Sequence, residues 1–250
     1  MIKKIIILAA GKGTRLKPLT NDLPKCLTPI DQKTILEYQI EVAAKCGIEH
    51  VVVVGGFKIE KINFKNITII ENKNFEKTNM VESLNCAKEY FGKEFILSYG
   101  DIIFTESILT SMMNSDKNIE IAADMEWKKY WEERFDDPLL DAETFKFGDN
   151  GELLELGKKT NILSNIESQY IGLLSFTSIG VEFLKYWLTN HFVDKKIFMT
   201  DMLNHMIEIG YRINVKKIYR GWLEIDSLKD LAIARKKIYY DKTDTLKIKK

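Results

Sequence analysis

The sequence predicts an α/β fold with a mainly parallel central sheet. Three observations carry this. The runs Ile5–Ala10, His50–Val54 and Glu94–Tyr99 are short and nearly continuous in apolar residues, as strands covered on both faces are. Stretches of helical apolar spacing alternate with them through the first half of the chain, the mark of βαβ units. Glycine follows each run, at Gly11, Gly55-Gly56 and Gly100, and ligands approach open α/β sheets at such strand ends.

Taken in order, Ile2–Ala9 reads as the first strand and Ala10–Pro29 as a loop rich in Gly, Pro, Thr and basic residues. Lys33–Lys45 carries Leu36, Ile40 and Ala43 at helical spacing, with Gly47 as a stop. His50–Val54 and Asn66–Ile70 are strands, Asn79–Phe91 is an amphipathic helix closed by Gly92, and Glu94–Tyr99 is the fourth strand. A helix over Ser107–Met113 and a strand over Ile119–Asp124 follow. The pattern then changes: Trp127–Phe135 is aromatic and charged, a short helix or a lid. Asp149-Asn150-Gly151 joins Thr144–Phe147 to Glu152–Leu156 as a hairpin. Gln169–Phe176 is a strand, and Val181–Leu188 and Thr200–Ile209 are helices, the second with Thr200 as N-cap and Gly210 as stop. Arg212–Ile218 and Trp222–Ile225 are short strands, and a last helix starts near Ser227. Residues 241–250 read as a fraying tail. With no repeat and no linker, residues 1–240 form one domain, in which 125–176 is a β-rich insertion covering one edge of the site.

The chain has 250 residues, enough for one sizeable core. Its formal net charge of +1 gives no global attraction to nucleic acid or to an anionic membrane, so any anion site must be built locally. Lys3 and Lys4 before an apolar run imitate a signal peptide, but the run stops at Gly11-Lys12, and a buried strand with a cytoplasmic location is the expectation. Cys26, Cys46 and Cys86 have no metal-ligand spacing and read as free thiols. His50, His191 and His205 read as structural or surface groups.

The strongest signal is Leu8-Ala9-Ala10-Gly11-Lys12-Gly13-Thr14-Arg15-Leu16, with Pro24-Lys25 downstream. Gly11 and Gly13 allow positive φ, so successive N–H groups can converge on phosphate oxygens. Lys12, Arg15 and Lys25 add the cations that a triphosphate demands. A Walker A loop would end in Gly-Lys followed by Ser or Thr, and a dinucleotide fingerprint would place glycine where Leu16 stands. A P-loop NTPase and a nicotinamide dehydrogenase are thereby disfavoured.

This run, continuing through Lys17-Pro18-Leu19-Thr20 to Pro24-Lys25-Cys26-Leu27, resembles the signature of the sugar-phosphate nucleotidyltransferase superfamily. Within it the chain is most similar to the short bacterial CTP:phosphocholine cytidylyltransferases, through Glu37-Tyr38-Gln39 and Glu224-Ile225-Asp226. Asp137-Pro138-Leu139-Leu140-Asp141-Ala142-Glu143 also resembles cytidylyltransferases of phosphonate and capsule biosynthesis, the CTP:phosphoglutamine cytidylyltransferase group among them. The resemblance implies a Rossmann-like α/β/α domain of the GT-A type. It implies an enzyme that transfers a nucleotidyl group from CTP to a small phosphorylated acceptor, for capsule or surface-polysaccharide decoration.

Asp101 follows the fourth strand, and Asp226 precedes the last helix; each also reads as an ordinary turn or N-cap residue. The resemblance implies that together they bind Mg²⁺, that Lys25 steadies the α-phosphate and the acceptor phosphate, and that Arg15 holds the leaving phosphates, helped by Lys12. In-line attack by a phosphate oxygen needs positioning and charge neutralisation, and no protein nucleophile. Backbone at Leu8, Ala9, Ala10, Gly11, Gly13 and Thr14, with Gly55, is expected to bind the nucleotide. Asn79 is either a helix N-cap or an amide reading a pyrimidine edge, with Ser83 one turn on. For the acceptor, Trp127, Trp131, Tyr170 and Trp222 offer aromatic faces to a cation, unless the tryptophans are a packed helix face. Asp141 and Glu143 add negative charge, whereas Arg134 and Lys158 would suit an acceptor carboxylate.

Two alternatives remain at this stage. A hexose-1-phosphate guanylyl- or thymidylyltransferase shares the loop and metal chemistry; the short chain without a C-terminal repeat domain speaks against it. A non-catalytic nucleotide sensor on the same scaffold is countered by Lys25, Asp101 and Asp226 occurring together. The acceptor, the oligomeric state and any lid motion of residues 127–143 are not legible.

Overall fold

A computed structural model describes residues 1–249. The central sheet has seven strands in the order Asn214–Ile218, Ile119–Asp124, Gln169–Phe176, Phe95–Tyr99, Lys4–Ala9, His50–Gly55, Ile67–Glu71. All neighbours run parallel except Gln169–Phe176, which is antiparallel to both of its partners. The first strand shows why its sequence is apolar throughout. Ile5, Ile7 and Ala9 face one core, with Leu36, Val42 and Leu223, while Ile6 and Leu8 face a second core, with Val81, Leu84 and Trp187. Both faces are covered, so neither register of the two-residue alternation is polar.

The helices begin where capping residues allow. Ile35–Lys45 is capped by Thr34, whose hydroxyl accepts from the Glu37 N–H while the Glu37 carboxylate accepts from the Thr34 N–H at 2.6 Å. Ser227 and Asp230 make the same reciprocal pair on Leu228–Lys237. The helix expected to start at Thr200 instead runs Met199–Glu208, with the Asp201 carboxylate accepting from the Phe198 N–H. The helix expected over Asn79–Phe91 is shorter, Met80–Cys86, and passes into a 3₁₀ turn at Lys88–Tyr90.

Three further differences bear on the site. Ile102–Phe104 pairs with Trp222–Glu224, which lies within the expected strand Trp222–Ile225, and so brings the segment after Asp101 beside the one before Asp226; at three residues, Ile102–Phe104 leaves almost no periodic signal of its own. Trp127–Arg134 is a helix rooted in the core through Trp127, Tyr130, Trp131 and Arg134, all at most 4% exposed, so it is a wall and not a loose lid. The expected fraying tail is ordered as far as described: Ile238–Tyr240 pairs with Leu246–Ile248, Leu246 is buried, and Tyr240 bonds to Lys33 and Glu41. The hairpin expected after residue 143 is present as Glu143–Phe147 and Leu153–Lys159, fastened to Met199–Glu208 by Asn204. Among the described residues no helix is long and apolar enough to cross a membrane.

Candidate active site

Two pockets open side by side at the carboxyl ends of the parallel strands. The first is lined by Leu8, Ala9, Ala10, Gly11, Gly13, Thr14, Arg15, Lys25, Asn79, Ser83, Asp101 and Asp226, together with Cys26, Phe75, Thr78, Met80 and Gly100. The loop after the first strand folds as a left-handed Gly13, φ +64°, leading into a 3₁₀ turn at Thr14–Leu16. Thr20 donates to the Gly13 carbonyl at 2.7 Å, and a Cβ on Gly13 would stand 2.9 Å from Lys25 Cβ. Gly13 therefore serves twice, in backbone conformation and in the close passage of the lysine stem.

Lys25 is the centre of the pocket. Its Nζ lies 2.6 Å from Asp101 Oδ2 and 2.6 Å from Asp226 Oδ1. One ammonium thus bridges the two carboxylates. Burial alone would lower the Lys25 ammonium, but the charges of Asp101, Asp226 and Glu224 overcome this and hold it above the ordinary lysine range. Arg15 pairs with the other oxygen of Asp226 and is otherwise exposed. Asp101 Oδ1 is buried without a hydrogen-bond partner. Burial pushes the neighbouring Cys26 thiol up to about 12, so it stays an uncharged wall.

The positions of both aspartates are set from the backbone. Gln39, buried, donates to the carbonyls of Tyr99 and Ile102 on either side of Gly100-Asp101. The Ile225 N–H donates to the Asp101 carbonyl at 2.9 Å, tying the second aspartate's turn to the first. Among the described residues there is no cluster of three or more His, Cys, Asp or Glu arranged around a metal; Asp101 and Asp226 form a pair.

The second pocket is lined by Met80, which also lines the first, and by Tyr99, Trp131, Asp141, Glu143, Gln169, Tyr170, Phe198, Thr200, Trp222 and Glu224. Its charges are acidic. The protein mass around Glu143, followed by repulsion from Asp141, Asp201 and Glu224, pushes its carboxyl up to about 7, against the pull of Lys159. Glu224 is likewise raised to about 7, by burial and by Asp101 and Asp226, despite Arg134 and Lys25. Trp131 donates its indole N–H to Asp141 at 3.0 Å, which orders the rim.

Several sequence expectations need correction. Lys12 turns away to Glu76, at 2.6 Å, and does not line the pocket. Gly55 is buried against Ile59 and Ile62 and meets no pocket; its neighbour Gly56 makes room for Phe75. Asn79 is the N-cap, accepting from the Met80 N–H, and its amide donates to the Lys196 carbonyl, while the residue also lines the first pocket. The Ser83 hydroxyl accepts from Asn72, a buried amide that the sequence left unnoticed because only the fold brings it there. Arg134 lies beneath the second pocket, paired with Glu224 and Asp230, and Lys158 is exposed and paired with Glu155. Neither lines the second pocket. Trp127 is packed edge-on against Trp131 in the core, leaving Trp131, Tyr170 and Trp222 as pocket walls. Gln169 and Phe198 belong to this pocket without any sequence signal of their own, and Glu224, noticed in the sequence only as part of Glu224-Ile225-Asp226, lines it too.

The sequence and the fold both have counterparts among known proteins. The chain is 38% identical over 91% of its length to the CTP:phosphoglutamine cytidylyltransferase of Campylobacter jejuni, covering 97% of that protein. It is 30% identical to the choline-phosphate cytidylyltransferase of Streptococcus pneumoniae over 45% of this chain and 51% of that one. Among solved structures, the inositol-1-phosphate CTP transferase of T. maritima superposes with a TM-score of 0.75 at 22% identity, covering 92% of this chain and 91% of that chain. A glucose-1-phosphate thymidylyltransferase from Bacillus anthracis superposes equally well at 16% identity, over 93% of this chain and 94% of that one, so the fold alone does not choose the base. Residues 5–134, which carry the phosphate loop, Lys25 and Asp101, match the MobA-like NTP transferase domain. The chain belongs to this family of nucleotidyltransferases.

Proposed function

We propose that the enzyme transfers CMP from CTP to a small phosphorylated acceptor that carries an ammonium group, releasing pyrophosphate with Mg²⁺ bound. The observation that carries this is the bridging of Asp101 and Asp226 by one cation at the junction of a phosphate-loop pocket and an acidic pocket. CTP is supported by the names of the two cytidylyltransferase relatives. Two converging carboxylates and the unpartnered Asp101 Oδ1 suit a hard divalent ion that completes its shell with phosphate oxygens and water. Bound there, Mg²⁺ would supply charge neutralisation at the phosphates.

The residues present do the rest. Backbone from Leu8 to Thr14 lines the space for the nucleotide, and Arg15 and Lys25 face the phosphates from the same loop region. One oxygen of the acceptor phosphate attacks the α-phosphorus; the new P–O bond forms as the α–β bridging P–O bond breaks, and pyrophosphate leaves with the electron pair. The attacking oxygen is already ionised, so no side chain removes a proton. Lys25 stabilises the charge that builds between the α-phosphate and the acceptor. Asp141, Glu143 and Glu224, with the faces of Trp131, Trp222 and Tyr170, hold the acceptor's cationic end. The product is an activated CDP-linked headgroup, and its transfer to a surface polysaccharide is the use we propose, in line with the resemblance of Asp137–Glu143.

The test is pyrophosphate release from CTP, UTP, GTP and dTTP with choline phosphate, phosphorylated glutamine, inositol 1-phosphate and glucose 1-phosphate. CTP with an amine-bearing acceptor is the expected pair. Preference for GTP or dTTP overturns the assignment of the base, and preference for an uncharged sugar or inositol phosphate overturns that of the acceptor.

A further inference from the structure

Arg134 touches neither pocket, yet it is among the most buried charges in the molecule, with 2% of its side chain exposed. Its Nη1 lies 2.6 Å from Glu224 Oε2, and its Nε donates to Asp230 Oδ1 at 2.8 Å. The other Asp230 oxygen accepts from the backbone N–H of Asp226 at 3.1 Å, from the N–H of Ser227 at 2.8 Å and from the Ser227 hydroxyl at 2.9 Å. One helical turn before Arg134, Tyr130 clamps the same turn: its hydroxyl accepts from the Glu224 N–H and donates to the Glu224 carbonyl. The guanidinium therefore spans the residue two before Asp226 and the residue four after it, and through Asp230 it fixes the peptide of Asp226 itself.

We infer that Arg134 is a positioning residue for the second metal-binding carboxylate, acting through Asp230 and Glu224 on the Glu224–Ser227 turn. The inference rests on the proposed role of Asp226. A planar fork is what this task needs, because two carboxylates on different elements must be held at once. A lysine ammonium in the same place has no fixed plane of donors, so it holds the pair less rigidly. Without any charge, Asp230 and Glu224 would be buried and repelling, and the turn between them would lose its fixed direction.

The test uses Arg134→Met, which keeps bulk without charge, Arg134→Lys, and Asp230→Asn in case the first variant does not fold. Mn²⁺ affinity in the presence of CTP is read by electron paramagnetic resonance, beside the Mg²⁺ dependence of pyrophosphate release, the KM for CTP and the melting temperature. Loss of an outer-shell partner weakens metal sites about 10- to 100-fold, and Arg134→Met is expected to weaken Mn²⁺ binding by at least about tenfold. Arg134→Lys should fall between it and the parent, Asp230→Asn should weaken Mn²⁺ as well, and KM for CTP should change far less than Mn²⁺ affinity. A lowered melting temperature with parental Mn²⁺ affinity and Mg²⁺ dependence would reduce Arg134 to a fold residue and overturn the inference. Asp226→Asn serves as the control. If it weakens Mn²⁺ while the Arg134 and Asp230 variants do not, this inference alone is overturned; if it has no effect, the metal assignment falls and the inference with it.

Discussion

Lys25 holds together two carboxylates that would otherwise repel, and the same ammonium faces the phosphate pocket. Lys25→Ala should lower turnover by at least about a hundredfold, as removal of one oxyanion donor does, measured as pyrophosphate release. Glu143 allows a pH prediction. Its folded value of about 7 lies above that of an exposed carboxyl, so the folded state binds the proton more tightly. The stability it contributes is present at acid pH and is lost as pH rises through about 7. Glu143→Gln should therefore melt higher than the parent above about pH 8 and converge with it toward about pH 4. In the parent, KM for an amine-bearing acceptor should rise as pH falls below about 7, because the charge at Glu143 is lost; in Glu143→Gln the rise should be shallower. Glu224 still titrates in the variant, and Asp141, Asp201 and Lys159 stay around the site.

At the scale of elements, legibility followed locality. The phosphate loop was readable because Gly, Lys and Arg within nine positions have one economical use, and all of Leu8–Gly11 lines the pocket. Strands at Ile119–Asp124 and Gln169–Phe176 were readable from their apolar runs. What escaped depends on partners distant in the chain: the Ile102–Phe104 strand has meaning only beside Trp222–Glu224, and Arg134 looked like an acceptor cation until Asp230 was seen against it. The C-terminal hairpin reads as a fraying tail because it is rich in charge, but Lys45 pairs with Asp244, Lys247 pairs with Asp241, and Lys33 and Glu41 hold the Tyr240 hydroxyl. Leu246→Ala should cost about 2 kcal/mol or more in urea unfolding, as buried leucines do; no change would mean that the hairpin lies loose. Gln39→Leu takes its donor from the Ile102 carbonyl and leaves the Tyr99 carbonyl with the Ser98 hydroxyl alone. A buried carbonyl left unpaired costs about 1–3 kcal/mol, and turnover should fall with stability because Asp101 sits between the two.

For the whole molecule, the seven-stranded sheet sets one strand end beside another, and two adjoining pockets result, one with paired charges of both signs and one acidic. On the proposed function, the phosphate loop would meet polyphosphate on one side and the acidic pocket an amine on the other. The net charge of +1 is a sum over the whole chain and shows neither pocket's local charge. Association with CTP should accordingly weaken as salt is raised, and so should association with an amine-bearing acceptor; a neutral acceptor would show the first dependence without the second.

The most direct measurement is pyrophosphate release from CTP by the parent enzyme and by Asp101→Asn, side by side over a magnesium titration. The account predicts parental turnover that a chelator abolishes and a rate at least about a hundredfold lower in the variant, only partly restored by more magnesium. Equal rates in the two proteins, or undiminished turnover with the metal removed, would contradict it.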